Sequence, residues 1–276
     1  MVSKVSFPVG SPGGPRTMSV AYERRGTGEP LLLLHGIGHH WQAWEPVLPL
    51  LTPERDVIAI DLPGFGSSPA LPHGMSYELP AVVPVLGALC EALGVQRPHV
   101  AGNSLGGLLA LELGRQKLVR SVTALSPAGF WSQAERRYAF GTLLAMRRGA
   151  RLVPEPVLGR LSRTAAGRAA LTSTIYARPG RRSPQAVVAE TRALRDATGF
   201  GETLDAGREV LFTSDVPGVP VTVAWGDRDR LLLRRQGIRA KQAIPGARLV
   251  RLPGCGHVPM SDDPALVARV ILDGSR

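Results

Sequence analysis

Residues 100–111 read VAGNSLGGLLAL, a short apolar run that passes through Gly102-Asn103-Ser104-Leu105-Gly106 into a helix-like pattern. Taken alone, a serine between two glycines is ordinary turn chemistry, and a G-x-S-x-G match is weak. Its neighbours decide its meaning. Upstream, 18–26 alternates as a half-exposed strand would, 30–36 is fully apolar, 55–61 is a further buried strand and 78–93 is helical. The run at 97–103 leads into a helix over 104–116, and 121–126 is the next strand. Short apolar strands separated by helices predict a mostly parallel sheet covered on both faces, an α/β architecture.

From about residue 128 the rhythm changes. The stretches 136–152, 157–176, 183–200 and 201–214 read as helices with no strand between them, as does 41–51 nearer the start. Alternation resumes at 219–225 and 247–254, and a helix closes the chain from about Asp263. The chain therefore divides into an α/β core of 1–127 and 216–276 and an all-helical insertion of 128–215, expected as a cap or lid.

Composition narrows the function classes. Of 276 residues, 44% are hydrophobic, enough for a sizeable core, and the net charge is +11. Only Lys4, Lys117 and Lys241 among the 33 basic residues are lysines. The arginines are scattered, aromatics are sparse and nucleic-acid motifs are lacking, so the charge reads as a solvated surface and no nucleic-acid partner is expected. No apolar run reaches the ~18–20 residues that span a bilayer. The start, MVSKVSFPVGSPGG, has no apolar signal region. Cys90 and Cys255 do not form a disulfide framework. A soluble, cytoplasmic protein with no membrane partner is expected. With no metal-ligand cluster and no dinucleotide fingerprint, neither metal nor cofactor is expected.

Ligands of an open parallel sheet bind outside the carboxyl ends of its strands, where Ser104 stands. Small flanking residues permit a strained strand-to-helix turn, and the helix start favours developing negative charge. A serine hydroxyl needs a base to become a nucleophile. His257, in GCGHVPMSDDP, follows the last strand at the same edge, whereas His35, His39, His40, His73 and His99 suit surface or packing roles. A third group must hold the imidazole in one tautomer. The strand at 219–225 ends in GDRDR, which offers Asp227 or Asp229.

Five ordered motifs, LLLLHGIG, DLPGFGSS, GNSLGG, WGDRD and GCGH, resemble the α/β-hydrolase family between residues 30 and 257. The resemblance implies that Asp229, as the second aspartate of its motif, is the acid of a Ser104-Asp229-His257 triad. One departure is that the proline often found a few residues later is absent from DRLLLRRQG. It further implies an oxyanion hole from the backbone N–H groups of Ile37 and Leu105, and a loop-shaping role for Asp61. The implied activity is acyl transfer to water from a small-molecule ester, lactone or thioester. A carbon–carbon bond hydrolase of dienoic keto acids is the alternative, although HGIGHH lacks the proline and glycine usual in that group's loop. A slow-turnover ligand receptor and an acyltransferase on the same scaffold are further alternatives.

Overall fold

The apolar runs pair into one eight-stranded sheet in a computed structural model that describes residues 2–11 and 13–276. Its strands are β1 (Ser3–Val9), β2 (Arg16–Arg25), β3 (Glu29–Leu34), β4 (Arg55–Ile60), β5 (His99–Asn103), β6 (Ser121–Leu125), β7 (Val221–Gly226) and β8 (Arg248–Leu252). Their order is β1-β2-β4-β3-β5-β6-β7-β8. β1–β2 and β2–β4 are antiparallel, and every other pair is parallel. β5, β6 and β7 are buried at every residue, as strands covered on both faces must be. In register, Leu34 pairs with Gly102, Gly102 with Ala124, and Ala124 with Val223. The loops after β3, β5, β6 and β7 thus leave the sheet at one edge.

The helices are α1 (Leu48–Leu51), α2 (Leu79–Ala92), α3 (Leu105–Arg115), α4 (Gln133–Leu152), α5 (Glu155–Ser162), α6 (Ala165–Thr172), α7 (Pro184–Asp196), α8 (Phe200–Ala206), α9 (Arg235–Ala243) and α10 (Pro264–Gly274). Between β6 and β7 lie only helices, α4 to α8 and two short 3-10 turns. Their starts are capped: Ser132 and Glu135 form a reciprocal capping box on α4, and Thr164 and Ser183 cap α6 and α7.

Several elements differ from the sequence reading, each for a local reason. The single helix expected over 41–51 is a 3-10 turn at Trp41–Trp44 followed by α1, because Pro46 cannot donate within a continuous helix. The stretch 157–176 divides where Thr164 caps a new helix. Only α8 and a 3-10 turn form at the start of 201–214; the rest is irregular. β1 escaped detection because it is an edge strand that buries only Phe7 and Val9 and contains Pro8. The strongly amphipathic α9 was also unforeseen. Among the described residues, no helix is long and apolar enough to cross a membrane.

Candidate active site

Ser104 sits between β5 and α3 with φ 56° and ψ −114°, in a region that side chains other than glycine rarely adopt. Three backbone hydrogen bonds hold it there. Its N–H donates to the Leu125 carbonyl at 3.0 Å, and its carbonyl accepts from Leu108 and Ala128 at 3.0 and 3.1 Å. The flanking glycines are obligatory on steric grounds. A Cβ on Gly102 would lie 2.0 Å from the Gly106 carbonyl oxygen, and one on Gly106 would lie 2.1 Å from that of Leu34. Backbone cannot yield to such contacts as a flexible side chain could.

His257, after β8, meets Asp229, after β7. The imidazole Nδ1 lies 2.9 Å from Asp229 Oδ2, with both side chains buried. Asp229 Oδ1 accepts the N–H groups of Leu231 and Leu232 at 2.9 and 2.8 Å. These bonds fold the chain back on the carboxylate, so the loop closes without the proline missing from its motif. With Nδ1–H donating to the carboxylate, the Nε2 lone pair is left for another proton. Asp227 is engaged elsewhere, accepting from Arg251 Nη2 at 2.8 Å and from the Gly254 N–H at 2.7 Å. Asn103, which the sequence reading passed over, donates from Nδ2 to the carbonyls of Leu125 (3.1 Å) and His257 (2.9 Å). It ties the serine loop to the histidine loop.

Ile37 occupies a tight turn closed by the His39 N–H on the Gly36 carbonyl at 3.2 Å, with Gly38 at φ +75°. That positive φ is what a type II turn demands at its third residue. Leu105 opens α3, so its N–H has no partner within the helix. Both residues line a cavity together with Ser104. Asp61 shapes the loop after β4 by accepting from Trp41 and Ser67, each at 2.7 Å. His35 braces that loop. Its Nδ1–H donates to the Gly36 carbonyl at 2.7 Å, and Nε2 accepts the Leu62 N–H at 2.9 Å. Burial pushes its pKa down to about 3, so the ring is neutral.

Two cavities of about 50 Å³ each meet at Ser104, sharing Ile37, Leu143 and Leu231. His257 lines only the first, along with residues of α4, α6 and α7. The second is walled by apolar groups that include Trp131, Phe140 and Leu204. His39 belongs to the first cavity, so the surface or packing role expected for it is incomplete. It is buried, burial holds its pKa well below the usual histidine range, and its Nδ1 has no hydrogen-bond partner. Its place two residues after the Ile37 turn was the available signal. Neither lining contains an arginine or lysine. Some arginines of the inserted helices are taken up elsewhere. Arg192 and Arg195 each pair with Glu155 at 2.7 Å, and Arg147 lies 4.5 Å over the Phe200 ring. Among the described residues, no group of histidine, cysteine or carboxylate side chains could hold a metal ion.

Comparison with known proteins agrees with this architecture. Lipase 3 of a Moraxella species is 29% identical over 248 residues, 85% of this chain and 73% of the lipase. A 2-hydroxy-6-oxo-2,4-heptadienoate hydrolase of Pseudomonas putida is 40% identical over 89 residues, 31% of this chain and 32% of that enzyme. The crystal structure of a bacterial membrane phospholipase A superposes with a TM-score of 0.74 at 26% identity, covering 100% of this chain and 87% of the other. The family described as alpha/beta hydrolase fold matches residues 29–264, nearly the whole span from β3 to the start of α10. A match of that extent, on a mostly parallel sheet covered by helices, shows that the chain belongs to the alpha/beta hydrolase fold family.

Proposed function

We propose that this hydrolase cleaves neutral carboxylic ester-type small molecules, whether ester, lactone or thioester, through Ser104, His257 and Asp229. His257 Nε2 takes the Ser104 hydroxyl proton as Oγ bonds to the substrate carbonyl carbon, and Asp229 stabilises the imidazolium so formed. The carbonyl oxygen, now negative, is received by the N–H groups of Ile37 and Leu105. Each donor of this kind is worth roughly 10²–10³ in rate. The intermediate collapses, the bond to the leaving group breaks, and His257 returns its proton to the departing oxygen or sulfur. Water then attacks the acyl-serine by the same route and regenerates Ser104.

The observation that carries this reading is the His257–Asp229 hydrogen bond of 2.9 Å beside the cavity that also holds Ser104. The lining supports an uncharged substrate over a dienoic keto acid. Such an acid brings a carboxylate, and burying an unpaired carboxylate is costly; neither cavity offers it an arginine or lysine. Residues 128–215 act as a cap that selects substrate, with Leu143, Met146, Leu171 and Leu194 facing the catalytic cavity. The cap takes no part in the bond chemistry.

The test is a fluorophosphonate label mapped by peptide mass, together with hydrolysis of a panel of neutral esters, thioesters, lactones and dienoic keto acids. Ser104 alone should be labelled. Ser104→Ala and His257→Ala should each lower kcat on the order of 10⁴–10⁶, and the double variant little further, as groups acting as a unit do. Retained activity in Ser104→Ala sinks the proposal.

A further inference from the structure

The cavity beside His257 is mostly apolar yet ends on a charged side chain. Glu190 of α7 stands between it and a further cavity of about 470 Å³ lined by Arg182 and Ser261, and its side chain is only 9% exposed. Oε1 of this carboxylate takes the Arg182 guanidinium and, at 2.9 Å, the Tyr176 hydroxyl. Arg182 is itself held, stacked 4.3 Å over the Tyr176 ring and bonded to Ser261 Oγ. Oε2 is buried and has no partner at all. An orphaned buried acceptor carries the desolvation cost of an unmade hydrogen bond, and more when charged. Replacing a whole buried ion pair by apolar side chains is often neutral or stabilising. The pair with Arg182 uses only one oxygen of the carboxylate and leaves the other free.

The two cavities divide any substrate at Ser104. The leaving group must receive its proton from His257, so it lies in the cavity that His257 lines. The acyl chain then takes the other cavity, against Trp131, Phe140 and Leu204. Only the leaving half can meet Glu190. The required partner is a hydrogen-bond donor. An anion brings no proton to donate to the free oxygen, and a cation gains little because Arg182 already neutralises the carboxylate's charge. A neutral hydroxyl fits.

We infer that the natural leaving group is an alcohol carrying at least one further hydroxyl, which donates to Glu190 Oε2, so that the substrates are monoesters of a polyol with a modest apolar acyl chain. This rests on the serine-hydrolase reading above and specifies its leaving-group side.

The experiment compares kcat/KM for 2,3-dihydroxypropyl butanoate and propyl butanoate, which share acyl chain and carbon skeleton. Fluorophosphonate labelling of Ser104 runs in parallel. The wild-type protein should favour the hydroxylated ester by at least about tenfold, the scale of one hydrogen bond to a charged acceptor. In the double variant Arg182→Met/Glu190→Leu, which removes the ion pair without stranding either charge, the two esters should converge. Equal rates in the wild type with Ser104 labelled overturn this inference and leave the hydrolase reading standing. So does a preference that survives in the double variant. If Ser104 is unlabelled and neither ester is cleaved, the hydrolase reading itself falls, and this inference falls with it.

Discussion

The strand-end loops and the inserted helices build opposite walls of the same cavities under different constraints. Around the triad residues at the strand ends there is little slack, although His39 Nδ1 and Ser126 Oγ nearby are buried without partners. Asp229 engages three donors and Asp61 accepts from two backbone N–H groups, while Gly102 and Gly106 leave no room for a methyl group. In the inserted helices, a Cβ added at Gly141, Gly149 or Gly159 would meet nothing within 4 Å, although Gly167, where α6 packs on α5, is as tight as the glycines beside Ser104. There Glu190 Oε2, Thr203 Oγ1 and the Nε atoms of Arg147, Arg168 and Arg182 are buried without partners. On the function proposed above, bond chemistry demands atoms fixed to a fraction of an ångström, whereas substrate selection tolerates unpaired groups. The strand-end side should therefore lose activity steeply on small changes, and the helical side should change preference or stability instead.

The sharpest version of that contrast compares two aspartates two residues apart. Asp229→Asn keeps the shape but removes the charge that holds His257 Nδ1–H, and should reduce kcat by about 10⁴. Asp227→Asn keeps an oxygen for the Gly254 N–H and loses chiefly the ion pair with Arg251, whose side chain is 63% exposed. A pair with one partner so open to solvent and the other 16% exposed is worth about 1 kcal/mol, so kcat should hold and stability should fall slightly. Steady-state hydrolysis and urea unfolding of both variants check this. Comparable kcat losses in the two would mean that the loop after β7 is not as rigid as its hydrogen bonds imply.

That contrast also explains what was legible in the sequence. The strand-end motifs could be read because each residue type there has one physical reason to be present. Only glycine fits at 102 and 106, and the fall from strand into helix marks Ser104. The choice between Asp227 and Asp229 was not in the residue pattern itself, since both end the same strand; the resemblance favoured Asp229, and Asp229 is the one that faces the imidazole. The positions of the inserted helices were mostly readable from periodicity and capping. Their contribution to the cavities was not, because the way helices pack across a gap leaves no local signature. Glu190 looks like any surface glutamate in AVVAETRALRD, and Arg182 like one more arginine in a basic chain. His39 and Asn103 were missed for a related reason, as their partners, or lack of them, lie across the fold.

Histidine titration should act outside the inserted helices alone, because residues 128–215 contain no histidine. Burial brings the His35 pKa down to about 3, against about 6.5 in an unfolded chain. Between those values the unfolded state binds one more proton than the folded state, so stability falls as pH falls, by ~1.4 kcal/mol per pH unit for this group. It is fully present above about 6.5 and lost progressively towards about 3. His39 and His40 are also lowered by burial and act in the same direction. His35→Gln should be less stable at neutral pH, having lost its brace between Gly36 and Leu62, yet its stability should depend less steeply on pH. Urea unfolding at a series of pH values measures the slope separately from the offset. An unchanged slope would show that His35 is not the buried neutral group its two hydrogen bonds describe.

The smallest effect expected should have the opposite sign. Gly141 lies inside α4, exposed, and a methyl group added there would meet nothing within 4 Å. Glycine in a helix interior costs roughly 0.5–1 kcal/mol relative to alanine, mostly through the freedom it gives the unfolded chain. Gly141→Ala should therefore stabilise the protein by about that amount and leave ester hydrolysis intact, since Gly141 lines neither catalytic cavity. At Gly106 the same added methyl would run into the Leu34 carbonyl and should cost most of the fold's stability. Thermal unfolding of the two variants side by side reads both signs in one measurement. If Gly141→Ala were instead destabilising, or if it lowered kcat, the helical side would be under constraints as tight as those of the strand ends, and the proposed division between chemistry and selection would fail.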